Sequence, residues 1–207
     1  MRRSIVAVVA AGLMVGCALS EDKVPVDYVP DPTPRAPVAG AANVTLSLTA
    51  TDKRTQYNDR IGTKKNGYGM EMARIVSTNN VVDLVRTSLE QELKAEGFRV
   101  GEGGAALTIE VQNFYNNFKL GLFAGTAVAE VTFTVKVRNA AGTLLFQNAY
   151  TGTGTVDDIM MAGGTNAKAA VEKALTAAVK LAADDAELRK VLLSTRPQAG
   201  PARDRRV

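Results

Sequence analysis

The distribution of proline constrains the fold of this chain more than any other sequence feature. Five of the seven prolines lie between Pro25 and Pro37, the other two are Pro197 and Pro201, and none lies between these groups. Because proline fixes φ and has no backbone N–H, it interrupts helices and the interior of sheets. The pattern predicts one folded unit between two irregular ends. With 207 residues, 46% of them hydrophobic, the chain can build one domain with a substantial core.

The N-terminus has the pattern of an export signal. Arg2 and Arg3 give a positive start, and residues 5–15 form an apolar run. Such a run matches the ~7–15 residues of a secretory signal and is shorter than the ~20 residues that span a bilayer. We therefore expect export, with residues 1–16 as the signal peptide.

The only cysteine of the chain, Cys17, directly follows this run and Gly16. The arrangement resembles the lipobox of bacterial lipoproteins, with Met14 where that motif usually has leucine. The resemblance implies that Cys17 is the first mature residue and carries lipid on its sulfur and its amino group. Several acyl chains, at ~0.8 kcal/mol per buried CH₂, anchor a protein stably. The alternative is an ordinary signal peptide with an incidental cysteine.

By the sorting pattern of Gram-negative lipoproteins, Ala18 after Cys17, with no aspartate there, implies the outer membrane and a body that faces the periplasm.

The charge of the chain is concentrated at its ends. The net charge is +4, but Arg2 and Arg3 lie in the signal, and residues 196–207 hold four arginines against one aspartate. The body between them is nearly neutral. A nucleic-acid partner is therefore not expected, because such proteins need a basic surface on the folded unit.

The chain divides into four predicted parts. Residues 1–16 are the signal, residues 17–42 a lipidated proline-rich tether, residues 43–195 the folded domain, and residues 196–207 a basic disordered tail. If the tether were fully polyproline-like, it would reach at most ~75 Å at ~3.1 Å per residue. The body could then stand away from the membrane.

The folded part alternates strand and helix patterns. Residues 43–49 alternate as a half-buried strand, and residues 70–76 could add a short extended piece. Val81 to Glu96 has the helical period, follows capping residues Asn79 and Asn80, and ends at Gly97. This region specifies a helix that must cover a sheet.

Three further strands and a second helix complete the pattern. The strands are predicted at 107–111, 131–138 and 144–151, and an alanine-rich helix follows a cap at Thr165 and Asn166. The order β-α-β-β-β-α predicts an α+β, two-layer sandwich. Its antiparallel sheet would have about four strands, with two helices on one face.

The segments 51–56 and 81–115, together with the closing alanine-rich helix, resemble the YajG family of bacterial lipoproteins. Membership would imply a signal, a lipid-bearing cysteine and a domain of this element order. The resemblance speaks to location and fold more than to activity.

The composition excludes most catalytic chemistry. Histidine and tryptophan are absent and there is one cysteine, so His-based triads, Cys/His zinc sites and histidine haem ligation are ruled out. The glycines of residues 151–158 lack the spacing of a phosphate loop and are assigned to turns and edge flexibility. The pairs Asp157–Asp158 and Asp184–Asp185 are interpreted as capping or solvated groups. We expect no enzyme activity, no cofactor and no metal.

Two groups of residues remain as candidate binding sites. The first is a recognition loop with Asp52, Arg54, Thr55 and Tyr57, although Asp52 could simply close a turn while Arg54 pairs locally. The second is an apolar groove, although its residues could instead be core; its members are Phe114, Tyr115, Phe118 and Phe123.

The leading functional prediction is a lipid-anchored, non-enzymatic module that binds or scaffolds another envelope component, most plausibly a protein. The alternative is a lipid- or small-ligand-handling accessory of an envelope transport system. An envelope hydrolase is disfavoured by the missing histidine.

Overall fold

The computed structural model describes residues 20–121 and 124–196. Within these residues the chain forms eight strands, three α-helices and a 3₁₀ turn at Ala41–Asn43. The strands are β1 (Asp22–Val24), β2 (Thr45–Asp52), β3 (Gly62–Lys65), β4 (Glu71–Ser77), β5 (Arg99–Val100), β6 (Ala105–Leu120), β7 (Gly125–Arg138) and β8 (Leu144–Ile159). The helices are α1 (Val81–Ala95), α2 (Gly164–Asp184) and α3 (Ala186–Ser194).

The eight strands of the described part form one mixed sheet. β6, β7 and β8 make a long antiparallel meander. The other edge of β6 is shared: β2 runs parallel to residues 105–111, and β3 joins at Asn116. Beyond β2 lies β5, and beyond β3 lie β4 and then β1.

The predicted α+β two-layer sandwich of about four antiparallel strands with two helices is therefore wrong. Four strand pairs are parallel, namely β1–β4, β2–β5, β2–β6 and β3–β6. Parallel neighbours need a long crossover, and α1, between β2 and β6, supplies one. β1, β3 and β5 have two to four residues each, so they are too short to show an alternating pattern.

Helix α1 begins and ends where the sequence predicts. The Asn80 side chain accepts hydrogen bonds from the N–H groups of Val82 (2.9 Å) and Asp83 (3.2 Å). At the other end, Gly97 has φ 95° and the N–H of Phe98 donates to the Leu93 carbonyl at 3.0 Å. These are the N-cap and Schellman-type C-terminus that the sequence predicts.

Helix α2 lies directly on β8, because two glycines leave room for it. A Cβ atom on Gly152 would lie 2.2 Å from the Ala174 carbonyl oxygen, and one on Gly154 would lie 2.1 Å from that of Ala170. The facing side of the helix is built of fully buried alanines, including Ala170, Ala174 and Ala178. The glycines of residues 151–158 therefore serve close helix packing, which corrects their assignment to turns and edge flexibility.

The N-terminal segment from Ser20 to Asn43 lies against the body, which corrects the prediction of a free tether. β1 pairs in parallel with β4. Next, the Asn79 amide forms two hydrogen bonds to the backbone of Val26, at 2.6 and 3.1 Å, and Val26 is fully buried. Polyproline-like chain has no internal hydrogen bonds, so its backbone groups are available to pair with the domain.

A buried ion-pair network holds the middle of this segment. The Arg35 guanidinium contacts Glu92 and donates to Glu96 (3.2 Å) and Asp184 (2.7 Å). Glu92 and Glu96 are only 5% and 1% exposed. Arg189 from α3 also donates to Glu96, at 2.9 Å. The network ties the segment to α1, α2 and α3 at once.

The segment also caps α2. The Gly164 N–H donates to the Asp22 carboxylate at 2.8 Å, while the N-cap residue Gly163 has no side chain for this purpose. The predicted cap at Thr165 and Asn166 is wrong, since the Asn166 amide donates instead to the Met161 carbonyl at 2.9 Å. A carboxylate at this place also suits the positive end of the helix dipole.

Candidate functional site

The predicted recognition loop connects β2 to β3 and is held rigidly. Arg54 forms a bidentate ion pair with Asp52, with N–O distances of 2.9 and 2.7 Å, and donates to the Asn58 carbonyl at 2.9 Å. The Arg54 side chain is only 6% exposed. Its hydrogen bonds lower the pKa of the Asp52 carboxyl. Arg54 thus pairs locally and fixes the loop, while Thr55 is exposed at its surface.

Tyr57 is the most unusual residue of this loop. It has φ 54°, in the left-handed region that bulky residues rarely adopt. Its ring stacks on Tyr115 with centroids 4.1 Å apart and planes at 17°, and the Arg60 guanidinium lies 5.9 Å from its centroid. Even so, 43% of Tyr57 stays exposed.

A polar cleft of about 410 Å³ opens beside this loop. Its walls are the loop, the end of β4 and the start of α1. Asp59, on one wall, accepts hydrogen bonds from Arg60 and Arg74, and these lower the pKa of its carboxyl to about 2. The lining residues include Asp52, Arg54, Asn58, Asp59, Arg60, Asn79 and Asn80. With amides and charges of both signs, the cleft suits a polar partner surface.

The three described residues of the predicted apolar groove do not form it. Phe114 and Phe118 are core residues at 1% and 3% exposure. Tyr115 points to the opposite face of β6, where it stacks on Tyr57 and its hydroxyl lies 3.0 Å from that of Thr63. Phe123 lies outside the described residues, as does the predicted lipid site Cys17. Tyr115 therefore packs against the predicted recognition loop through Tyr57.

A second cavity, which sequence reasoning missed, lies where the loops β3–β4, β6–β7 and β8–α2 meet. It measures about 720 Å³ and is mainly apolar. An isolated antiparallel bridge between Lys65 and Ala162 joins the end of β3 to the β8–α2 loop. The lining includes Ser20, Met72, Leu120, Ile159, Met160 and Met161. The sequence signal that could have indicated this cavity is the pair of adjacent methionines, Met160 and Met161, next to a glycine-rich link.

The two aspartate pairs have structural roles. Asp185 caps α3 through the N–H groups of Glu187 and Leu188, and it accepts a hydrogen bond from the Tyr150 hydroxyl at 2.7 Å. Asp157 accepts from Thr126 at 3.3 Å, and Asp158 has φ 56° near the end of β8. The capping interpretation is thus confirmed for Asp185.

We expect the charge of Asp185 to stabilise the fold in a pH-dependent way. Partial burial raises the pKa of Asp185, but hydrogen bonds, that of Tyr150 first, outweigh it and lower the pKa. A lowered pKa in the folded state means that this stabilisation is complete above about pH 4 and is lost as the pH falls further.

Asp185→Asn keeps a capping side chain, so urea unfolding should show it about 1 kcal/mol less stable than the wild type at pH 7. The difference should shrink as the pH falls below about 4. A gap between the two proteins that stays constant from pH 7 to pH 3 would contradict this role.

Residues 20–121 and 124–196 contain no cluster of three or more cysteine, aspartate or glutamate side chains that could hold a metal. None of the helices in this part of the chain combines the length and hydrophobicity needed to cross a membrane.

Comparison with solved structures places the fold among known proteins. The crystal structure of XCC0632 from Xanthomonas campestris superposes with a TM-score of 0.51 and 16% identity, over 85% of this chain and 96% of that one. The minor lipoprotein from Acinetobacter baumannii gives a TM-score of 0.44 and 14% identity, over 80% of this chain and 100% of the other. At these identities the first likeness shows the fold alone. No curated protein matches the sequence.

A family of lipoproteins matches most of the chain. Its description is "Uncharacterized lipoprotein", and the match covers residues 31–192. The finer likeness to the YajG family stays a prediction. The matched region contains every strand from β2 to β8 and the three helices almost completely. The chain therefore belongs to this lipoprotein family, Lipoprotein_16, whose members are membrane-anchored proteins of the cell envelope.

Proposed function

We propose that the protein is an outer-membrane lipoprotein of the YajG type, anchored through Cys17 and facing the periplasm, and that it binds another envelope protein without catalysing a reaction. The binding surface is the polar cleft together with the loop of residues 53–61. The absence of histidine and the near-neutral body favour binding over catalysis and over nucleic acid.

One observation carries the proposal, and it is the conformation of Tyr57. A left-handed backbone at a non-glycine residue costs about 1–3 kcal/mol and persists only when its surroundings impose it. Here the surroundings are the stack on Tyr115 and the carbonyl contacts of Arg54. The fold thus maintains a strained, half-exposed tyrosine beside a cleft. Strained residues cluster at functional sites, and tyrosine is enriched among the residues that dominate binding at protein interfaces.

The lipid-handling alternative loses the support of its predicted groove. Phe114 and Phe118, which were to line it, are buried in the core. The cleft beside Tyr57 carries charged and amide side chains together with Ile61, Val76, Val81 and Val82, a mixture that recognises a protein surface better than an acyl chain. The mainly apolar cavity of about 720 Å³ is where a small apolar ligand would have to bind.

Site-specific photo-crosslinking in intact cells tests the binding surface. A photoreactive residue replaces Asn58, which lines the cleft, or Thr55, which is exposed on the same loop, and Glu102 or Ala140 serves as the matched exposed control. We expect one discrete adduct from the loop positions only, and we expect Tyr57→Ala to weaken binding about 30-fold or more, because an interface anchor contributes about 2 kcal/mol or more. Equal adducts from all four positions, or none from the cleft, would contradict the proposal.

A further inference from the structure

The three most exposed large hydrophobic side chains of the described residues lie in two loops at one end of the sheet. Tyr68 is 91% exposed, Met160 83% and Met161 74%, and Met70 adds 58%. Tyr68 and Met70 belong to the β3–β4 loop, and the two methionines belong to the β8–α2 loop. Isolated exposed hydrophobic residues are common, but a cluster at one tip marks an interaction site.

Met160 and Met161 line the cavity of about 720 Å³. Asn66 and Gly67 of the β3–β4 loop line it too, and the other exposed pair is joined to them: Tyr68 follows Gly67, and the Met70 N–H donates to the Asn66 side chain at 3.0 Å. The bridge between Lys65 and Ala162 ties the β8–α2 loop to the end of β3, directly before the other loop. The apolar tip is therefore a preformed surface.

The lipid anchor is tied to this same end. Ser20 lines the cavity, and its carbonyl accepts a hydrogen bond from Lys64 at 3.2 Å. Cys17 lies three positions before Ser20, and an extended chain covers at most about 11 Å over those three steps. From Asp22 onward the chain is held on the domain by β1. No spacer is left that could lift this end away from the bilayer.

We infer that the tip formed by Tyr68, Met70, Met160 and Met161 inserts into the headgroup region of the phospholipid bilayer in which the protein is anchored. Methionine and tyrosine suit this depth, since both bury apolar surface and the tyrosine hydroxyl can stay hydrated. The inference rests on the proposed anchoring through Cys17. It goes further by fixing the orientation of the domain.

The orientation follows from the sheet. In the β7–β8 pair, Gly125 lies opposite Ile159 at the tip, and Arg138 lies opposite Leu144 at the far end. Over these strands the distance between the ends is about 40 Å. The strands of the long meander would therefore extend away from the membrane surface, with the β7–β8 turn at the end farthest from it.

Single tryptophans test the inference, because the chain has none of its own. Tyr68→Trp and Met160→Trp report on the tip, and Leu145→Trp, at a 39% exposed position of the far end, is the matched control. The full-length gene of each variant is expressed, and the protein recovered from membranes is reconstituted in vesicles of phosphatidylethanolamine and phosphatidylglycerol. Some of the lipids carry a nitroxide near the headgroup end of the acyl chain.

We expect both tip tryptophans to lose most of their emission and to shift to the blue, and Leu145→Trp to keep its emission. Vesicle flotation is measured on the same samples. Flotation without quenching at the tip overturns the inference and leaves the anchor intact. Tip tryptophans shielded from aqueous iodide but not quenched by nitroxide lipids also overturn it, since the tip would then cover another ligand. Failure to float overturns the anchoring itself and the inference with it.

Discussion

Replacing Gly154 by alanine is expected to destabilise the protein by about 3 kcal/mol or more, at the upper end of overpacking costs. The new Cβ atom would lie 2.1 Å from the Ala170 carbonyl oxygen and 2.6 Å from the Ala174 nitrogen. Both are backbone atoms of α2, so the helix must move as a unit. The gain of up to about 1 kcal/mol from a stiffer unfolded chain cannot offset this.

Urea unfolding measures the effect, with an unchanged m-value showing that only stability has altered. Thr153→Ala is the matched control, because Thr153 is the neighbouring residue on the exposed face of β8. We expect it to change stability by no more than about 0.5 kcal/mol. A Gly154→Ala protein as stable as this control would show that α2 does not approach β8 as closely as described.

Removing the charge of Arg35 is the second change with a large expected effect. Arg35→Met leaves Glu92 without its cationic partner and Glu96 with Arg189 alone, and both carboxylates are buried. Breaking a buried ion pair on one side costs about 3–5 kcal/mol. The N-terminal segment should also detach, so hydrogen exchange at the Val38 N–H, which donates to the Glu96 carbonyl at 2.8 Å, should accelerate.

A double-mutant cycle separates the ion pair from other effects of Arg35. Arg35→Met combined with Glu92→Gln removes both charges and should recover a large part of the lost stability. Lys190→Met is the control, because Lys190 pairs with Glu187 at the surface, with both side chains more than 70% exposed. It should cost at most about 1 kcal/mol. Equal losses for Arg35→Met and Lys190→Met would contradict a buried network.

The helix α1 was predictable because all of its signals are local. Asn80 and Gly97 lie at its ends, and the apolar period lies between them. The same holds for the capping role of Asp185 and for the pairing of Arg54 with Asp52, two residues apart. In each case the partner groups are within a few residues along the chain.

The parts that could not be predicted depend on distant partners. Asp22 caps a helix 142 residues away, and Asn79 pairs with the backbone of Val26 across 53 residues. Nothing in the local sequence distinguishes such a docked segment from a free tether. β8 extends to Ile159, beyond the predicted end at residue 151. Gly152 and Gly154 concealed this extension, because glycine within a strand weakens its sequence pattern. The two glycines are there because the backbone of α2 approaches them closely.

In the candidate site, too, the features with local signals were predictable and those that depend on distant residues were not. The loop of residues 53–61 was predicted from its charged and aromatic composition, whereas Tyr115 was assigned to a groove and lies instead under Tyr57. The exposed tip escaped prediction because its two loops are about 90 residues apart in the sequence and meet only through the sheet.

Mass spectrometry of the N-terminal peptide of the protein extracted from membranes tests the central claim, lipid anchoring, most directly. The account predicts a chain that begins at Cys17, with lipid on its sulfur and on its amino group. A chain with a free Cys17 thiol, or one that retains residues 1–16, would contradict it.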